Sequence, residues 1–431
     1  MPPPPASDAC PGLLALHPAR DGHVARIRLP GGYVTGPRWR ALAGLARDFG
    51  DGHLDLTSRG NVQLRGLRPG DAGELARRAA AAGLLPSPAH DRARNIMASP
   101  LAGLGGRPPL RLLVRRLDAV LLADPALAAL PGRFLFSLDD GTGGSGLAGC
   151  DIGLRRVGEG VEVIVAGRRT GVHVRVRAAV TTVATAARAA VAAGVGSTAA
   201  RIADLGDGGQ AVAAAIGGGL GLPACGTDTR LPLGIAARDP RPSGGPPAEL
   251  VTVVLAAPLS RLTSRQIEVT ASVLAGREAL RIGIAGRLVI PLEVPVLDEP
   301  AGLDPATPVL DSSAAASPAA ASPAPAGAVD AGRAGRLAEI LTELEGTGLI
   351  ASPGHQLADV TACSGAACSR SLADVRAVAA PVSGHPRPHW SGCGRTCGLP
   401  PDAEPVIAAG SRRYLVPGAG EPVPCEMLVA P

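Results

Sequence analysis

The stretch LTSRGNVQLRG, Leu56–Gly66, decides the reading of this chain. Within His53–Leu67 apolar and polar residues alternate, the period of an extended strand. That period sets Arg59, Asn61, Gln63 and Arg65 on one face and Leu56, Val62 and Leu64 on the other. Upstream stand a strand, HVARIRLPGG, and a helix that opens at Pro37, PRWRALAGLARDFG. The same order returns from Leu250: a strand (LVTVVLAAP), a helix near Ser264 to Leu274, and the strand pattern ALRIGIAGRLVIPL. This is a degenerate internal repeat in which Gly60 falls opposite Gly286. The second copy carries Ala285 and Val289 where the first has Arg59 and Gln63, so the polar face belongs to one copy. Guanidiniums separated by carboxamides suit a ligand with several carboxylates, although a solvated sheet face would show the same alternation.

Between the copies the chain mixes a helix (PLRLLVRRLDAVLLADPALAALP) with strands such as RFLFSLDD, VEVIVAG and VHVRVRA, an α+β middle domain. ARNIMASPLAG, Ala93–Gly103, reads as a loop offering Arg94 and Asn95, either a site or a plain crossing between domains. Arg133 precedes a further apolar strand. From 298 to 335 the Ala, Ser and Pro content marks a linker. The units are therefore 1–90 (first half-repeat), 91–238 (middle), 239–297 (second half-repeat), 298–335 (linker) and 336–431 (C-terminal).

The C-terminal unit carries ACSGAACSRSLADVRAVA and HWSGCGRTCG. Cys363 and Cys368 form C-x4-C, and Cys393 and Cys397 form C-x3-C. Two close cysteine pairs make a metal pattern, structural zinc or an iron-sulfur cluster. Apparent helix at Cys363 and the glycines Gly394 and Gly398 favour the cluster. Cys10, Cys150, Cys225 and Cys425 read as isolated thiols, and His385 and His389 as loop histidines.

Composition narrows the rest. Net charge is +5 without basic runs, which argues against a nucleic-acid partner. All 42 basic residues are arginine, so no lysine can shuttle protons or form a Schiff base. No stretch is apolar and long enough to span a bilayer, and the N-terminal sequence lacks the features of a secretory signal. The expected location is cytoplasmic, and a glycine-rich turn after Asp140 fits no nucleotide-binding pattern.

LTSRGNVQLRG, ARNIMASPLAG, the second half-repeat and the paired cysteines together resemble the nitrite/sulfite reductase superfamily. The resemblance implies an α+β fold: two ferredoxin-like half-domains, with α/β domains that bind a cluster and a tetrapyrrole. It implies a [4Fe-4S] cluster on Cys363, Cys368, Cys393 and Cys397, and admits sirohaem or a mononuclear non-haem iron. Arg59 and Arg94 fall where the family handles anions; Arg133 and Leu135 fall where its reductases carry lysines. Arg59, Arg94 and Arg133 are thus the expected catalytic residues, and Arg59, Asn61, Gln63, Arg65, Arg94 and Asn95 the expected substrate contacts. The opening segment and LPGRFLFSLDDG look most like the oxygen-dependent branch that acts on precorrin-3A in aerobic cobalamin biosynthesis, with electrons from an NADH-linked donor or ferredoxin. A sirohaem reductase of sulfite or nitrite and a non-catalytic zinc- or tetrapyrrole-binding protein are the competing expectations. The family's first pair is usually C-x5-C, one residue longer than here.

Overall fold

The computed structural model describes residues 10–224, 231–240, 248–274, 279–295 and 327–429. Cys225 and residues 298–326 of the expected linker lie outside them.

Helix Gly36–Phe49 has proline near its start and places Trp39, Leu42, Ala43 and Ala46 along one buried stripe. Helix Ser264–Ser272 repeats it and is closed by a capping box between Thr263 and Gln266. The two helices pack together, and Trp39 Nε1 donates to Thr270 Oγ1 at 2.8 Å. Each lies on a five-stranded antiparallel sheet. The first is ordered His17–Ala19, Gly22–Ile27, Val62–Leu67, His53–Leu56, Arg261–Thr263. The second is ordered Gly234–Pro240, Ala248–Ala256, Arg287–Pro295, Ala279–Ile282, Tyr33–Thr35. Each copy thus lends one short strand to the edge of the other's sheet. The half-domains share one hydrophobic core, from Ile27 and Leu64 through to Leu255 and Ile290.

The repeat holds at backbone level. Gly60 and Gly286 have φ of +66° and +69°, a region open chiefly to glycine. A Cβ on Gly286 would stand 2.8 Å from Ser260, and one on Gly60 would stand 3.1 Å from the Ile282 carbonyl oxygen.

The expected long strand is instead two. His53–Leu56 and Val62–Leu67 are joined by a turn in which Thr57 N donates to Asn61 O and Gly60 N to Thr57 O. Arg59 therefore sits at a tip, and only Gln63 and Arg65 keep the strand alternation.

The middle unit is a sheet ordered Arg168–Arg175, Gly160–Val165, Ile152–Val157, Phe136–Asp139, Ile96–Ala98, whose last three strands are parallel. Helices Arg111–Ala123 and Val176–Ala192 pack together within its core. ARNIMASPLAG is not simply a loop, because Ile96–Ala98 is the fully buried edge strand of this sheet.

Helix Gly327–Gly346 begins nine residues before the boundary expected at 336. Leu337, Ile340 and Leu344, at i, i+3 and i+7, join the core of the half-domains, so this helix packs with them rather than with the tail that follows. That tail forms a sheet of Thr361–Ala362, Pro388–Ser391, Glu404–Ala408, Arg413–Leu415 and Val423–Pro424 around Trp390 and Tyr414, whose ring centroids are 5.0 Å apart. No helix among the described residues is long and apolar enough to cross a membrane.

Candidate functional site

The cleft face of the first sheet, the cysteine-bearing unit and the edge of the middle unit enclose a cleft of about 610 Å³. Eight arginines line it, at 26, 59, 65, 133, 201, 370, 376 and 395, against the carboxylates Asp55 and Asp204. Arg59 reaches in from its turn, with Nη1 donating to the Arg133 carbonyl at 3.1 Å. Burial, then the charges of Arg201 and Arg26, lower its pKa to about 10. A carboxylate placed there would relieve that crowding. Gln63 presents its amide oxygen to the Arg26 guanidinium at 3.2 and 2.7 Å.

Arg65 also lines the cleft but is committed elsewhere: it grips Asp21 at 2.9 and 3.0 Å and donates to the Ala367 carbonyl at 3.0 Å. The structure does not bring Arg94, Asn61 or Asn95 to the cleft. Arg94 is buried in a bidentate pair with Asp118 at 2.7 and 2.9 Å. Asn61 Nδ2 donates to Asn95 Oδ1 at 2.9 Å, and Asn95 Nδ2 to the Phe134 carbonyl at 3.1 Å. These carboxamides tie the Arg59 turn to the middle unit. Leu135 is buried, and its backbone N–H donates to Asp151.

All four paired cysteines line the same cleft, as free thiols. Cys363 follows the short strand Thr361–Ala362; its Sγ accepts from the backbone N–H of Gly392 at 3.2 Å and of Gly365 at 3.4 Å. No helix opens there. Gly365, with φ of +57°, begins a single tight turn, Gly365–Ala367, and Cys368 follows it in extended backbone. The segment between the two cysteines is thus a turn and not a stretch of helix. Burial first, then the neighbouring thiols of Cys393, Cys363 and Cys368, raise the pKa of Cys397, so the four share one electrostatic environment.

Tetrahedral zinc, with bonds of about 2.3 Å, needs its sulfurs within about 4 Å of one another. Among the described residues no three His, Cys, Asp or Glu side chains converge closely enough to ligate one ion. Cys363, Cys368, Cys393 and Cys397, which line the same cleft, are the residues that would hold a metal centre there.

Asp55 braces this arrangement. Buried to 5% exposure, its Oδ1 lies 3.0 Å from Arg376 Nη1 and 3.7 Å from Arg261 Nε, and its Oδ2 lies 4.0 Å from Arg65 Nε. Arg376 Nε in turn donates to the Cys363 carbonyl at 2.8 Å. One carboxylate thereby links both half-repeats to a cysteine of the quartet. His389 is not a loop residue: it lies on Pro388–Ser391, with Nε2 bonded to the Cys397 carbonyl at 3.2 Å and Nδ1 to Thr361 Oγ1 at 2.9 Å. A carbonyl only accepts, so Nε2 carries the proton, and burial lowers the ring's pKa to about 4. Cys10, expected to be isolated, lines the cleft, whereas Cys150 and Cys425 are buried elsewhere, the Cys150 thiol pushed up to about 12 by burial. Sequence reasoning missed Arg26, Arg201, Asp55 and Arg376. Only Arg26 left a signal, its alternation with Arg28 in HVARIRL.

Residues 17–82 match the nitrite/sulfite reductase ferredoxin-like half domain. The structure of the Mycobacterium tuberculosis NirA protein superposes with a TM-score of 0.65 at 18% identity, covering 94% of this chain and 78% of that one. The fold is nitrite/sulfite reductase-like, with ferredoxin-like half-domains. Among curated relatives, a ferredoxin–nitrite reductase of Leptolyngbya laminosa is 36% identical over 119 residues, 26% of this chain and 23% of that protein. A precorrin-3B synthase of a Sinorhizobium species is 41% identical over 68 residues, 16% of this chain and 15% of its own length. These matches span under a quarter of either relative.

Proposed function

We propose that the chain is a precorrin-3B synthase: an oxygen-dependent monooxygenase that hydroxylates precorrin-3A at C20 and closes an acetate arm into a γ-lactone. The observation that carries this reading is the cleft's cation set. Its guanidiniums stay protonated and do not pass protons, which suits holding the acetates and propionates of a macrocycle. Reducing nitrite or sulfite consumes several protons per turnover, and the chain has no lysine to relay them, with Leu135 buried where the resemblance expects one. In the proposed reaction the macrocycle gains one oxygen atom. The other leaves as water with two electrons and two protons from the donor side.

Arg59 and Arg133, at the mouth of the middle unit, would orient carboxylate arms, each charge-assisted contact contributing about 1.5–3 kcal/mol. A [4Fe-4S] cluster on the cysteine quartet would supply electrons one at a time to the adjoining cleft, and the exposed Cys397 marks the side from which an NADH-linked donor or ferredoxin would approach.

A second reading, a ferredoxin-type nitrite or sulfite reductase with sirohaem, is favoured by the longer matched stretch of the nitrite reductases. Turnover separates the two. Anaerobically reconstituted protein is mixed with reduced dye and either nitrite, sulfite, or precorrin-3A with oxygen. Substrate-dependent oxidation only with the last supports the synthase; rapid oxidation by nitrite or sulfite together with sirohaem absorbance overturns it.

A further inference from the structure

In HVARIRL the residues Ala25, Ile27 and Leu29 belong to the core shared by the half-domains, so strand alternation sets Val24, Arg26 and Arg28 on the opposite face. Val24 and Arg26 line the arginine-rich cleft, and Arg28 is the next side chain along that face, toward the middle unit. Arg28 is 3% exposed. Its Nη2 donates to the Gly132 carbonyl at 3.2 Å, whereas its Nε and Nη1 have no hydrogen-bond partner. Arg59 Nη1 takes the next carbonyl, that of Arg133, at 3.1 Å. Both carbonyls belong to one turn, closed by Phe134 N donating to Pro131 O at 2.9 Å, so two guanidiniums converge on it. The titratable groups that act on Arg28 are Arg26, Arg59, Cys10 and Asp91, of which the first three line the cleft. Asp91 accepts instead from the Leu14 backbone N–H at 3.0 Å. Burial, then the charge of Arg26, lower the Arg28 pKa to about 9, still above neutral, so the group stays charged. An ion taken out of water without a close counter-charge is strongly destabilising, and no carboxylate of the described residues bonds to this one.

We propose that Arg28 is a carboxylate-binding subsite at the inner end of the cleft, where its open donors receive one acetate or propionate arm of the macrocycle. The proposal rests on the tetrapyrrole reading of the cleft and deepens it: Arg59 and Arg133 orient arms at the mouth, and Arg28 anchors one behind them. The planar fork of a guanidinium carries more donors than the Gly132 carbonyl takes, and the rest can grip a carboxylate bidentately. An arm that enters between Arg26 and Arg59 brings the missing counter-charge to all three guanidiniums at once.

Arg28→Met keeps an unbranched side chain and removes the charge, and stability and binding should then move in different directions. Replacing a buried ion by an apolar side chain of similar volume is often neutral or stabilising, so the reconstituted, tetrapyrrole-free variant should melt at the wild-type Tm or above it. Anaerobic titration with precorrin-3A should show affinity weaker by about 10- to 100-fold, the loss expected of one charge-assisted contact. Titration with the methyl-esterified macrocycle should no longer separate the variant from the wild type, because the ester brings no charge to Arg28. Arg28→Lys keeps the charge without the fork; it should lose less affinity, and it guards against a methionine variant that fails to fold. Precorrin-3A affinity equal to the wild type's in both variants, or an Arg28→Met protein that melts lower yet binds as the wild type does, overturns the proposal and makes Arg28 a structural cation. Failure of the underlying reading looks different: the wild type itself then binds no precorrin-3A, and the assignment of the arm falls with it.

Discussion

Replacing Asp55 by asparagine keeps the side chain's shape and removes its charge from among three guanidiniums. Removing one partner from a buried ion pair costs about 3–5 kcal/mol when the other charge is left uncompensated. Here the loss is partly offset, since Arg65 keeps Asp21 and Arg261 keeps Asp51. Arg376, at 16% exposure, has no other carboxylate partner among the described residues. The expected cost is therefore nearer about 2 kcal/mol, which lowers Tm by about 2 °C, since an unfolding entropy of about 2.1 cal/mol/K per residue gives roughly 1 °C per kcal/mol for a chain of this length. Because Arg376 also holds the Cys363 carbonyl, the variant should retain less iron and acid-labile sulfide after anaerobic reconstitution. Asp48→Asn is the matched control: Asp48 pairs with Arg78 at 2.7 Å, but both are more than a third exposed, and such pairs contribute under about 1 kcal/mol. Thermal melts and iron analysis of the two variants side by side decide the matter. Indistinguishable Tm and iron content would refute the brace.

Other expectations follow from the same geometry. Cys363→Ser or Cys393→Ser should abolish the broad visible absorbance of reconstituted protein, whereas Cys425→Ser should leave it intact; stoichiometric zinc in a colourless wild type would contradict the cluster. Arg59→Ala should weaken tetrapyrrole binding, measured by titration, by about 1.5–3 kcal/mol with little change in Tm. Arg94→Ala should instead destabilise the fold by about 3–5 kcal/mol, because it strands the Asp118 carboxylate. Burial pushes the Glu162 carboxyl upward, but the bonds from Arg169 and Arg155 prevail and hold it below its usual range. A carboxyl depressed in the folded state stabilises fully above its unfolded pKa and loses that contribution as pH falls through the folded value. Glu162→Gln should therefore flatten the acid limb of a stability–pH curve below about 4.5.

The two-fold plan of the half-repeats was legible in the sequence because it rests on local signals: the strand period, the proline-opened helix, and glycines with positive φ at 60 and 286. Their exchange of edge strands was not, since Tyr33–Thr35 and Arg261–Thr263 are three residues each and their partners lie more than 200 residues away. The quartet was legible as spacing, but the backbone around it was not, because ACSGAACSRS has helix-like composition and only Gly365 breaks the pattern. Alternation correctly placed Gln63 and Arg65 on the cleft face. Arg59 reaches the same cleft from a turn rather than from a strand and Asn61 does not face it, because a turn at Thr57–Asn61 interrupts the period without a proline to announce it. Arg94 looked like a ligand contact for the same reason that Arg59 did, a guanidinium beside a carboxamide; its partner, Asp118, stands 24 residues away on a helix that sequence spacing does not orient.

The central claim, that the arginine-lined cleft beside the cysteine quartet oxygenates a tetrapyrrole, is tested most directly by isotope labelling. Reconstituted protein is given precorrin-3A, an electron source and ¹⁸O₂, and the product is read by mass spectrometry. The account predicts a macrocycle heavier by one oxygen that carries the heavy isotope. An unchanged macrocycle from protein replete in iron and sulfide, under conditions where nitrite or sulfite is reduced, would contradict it.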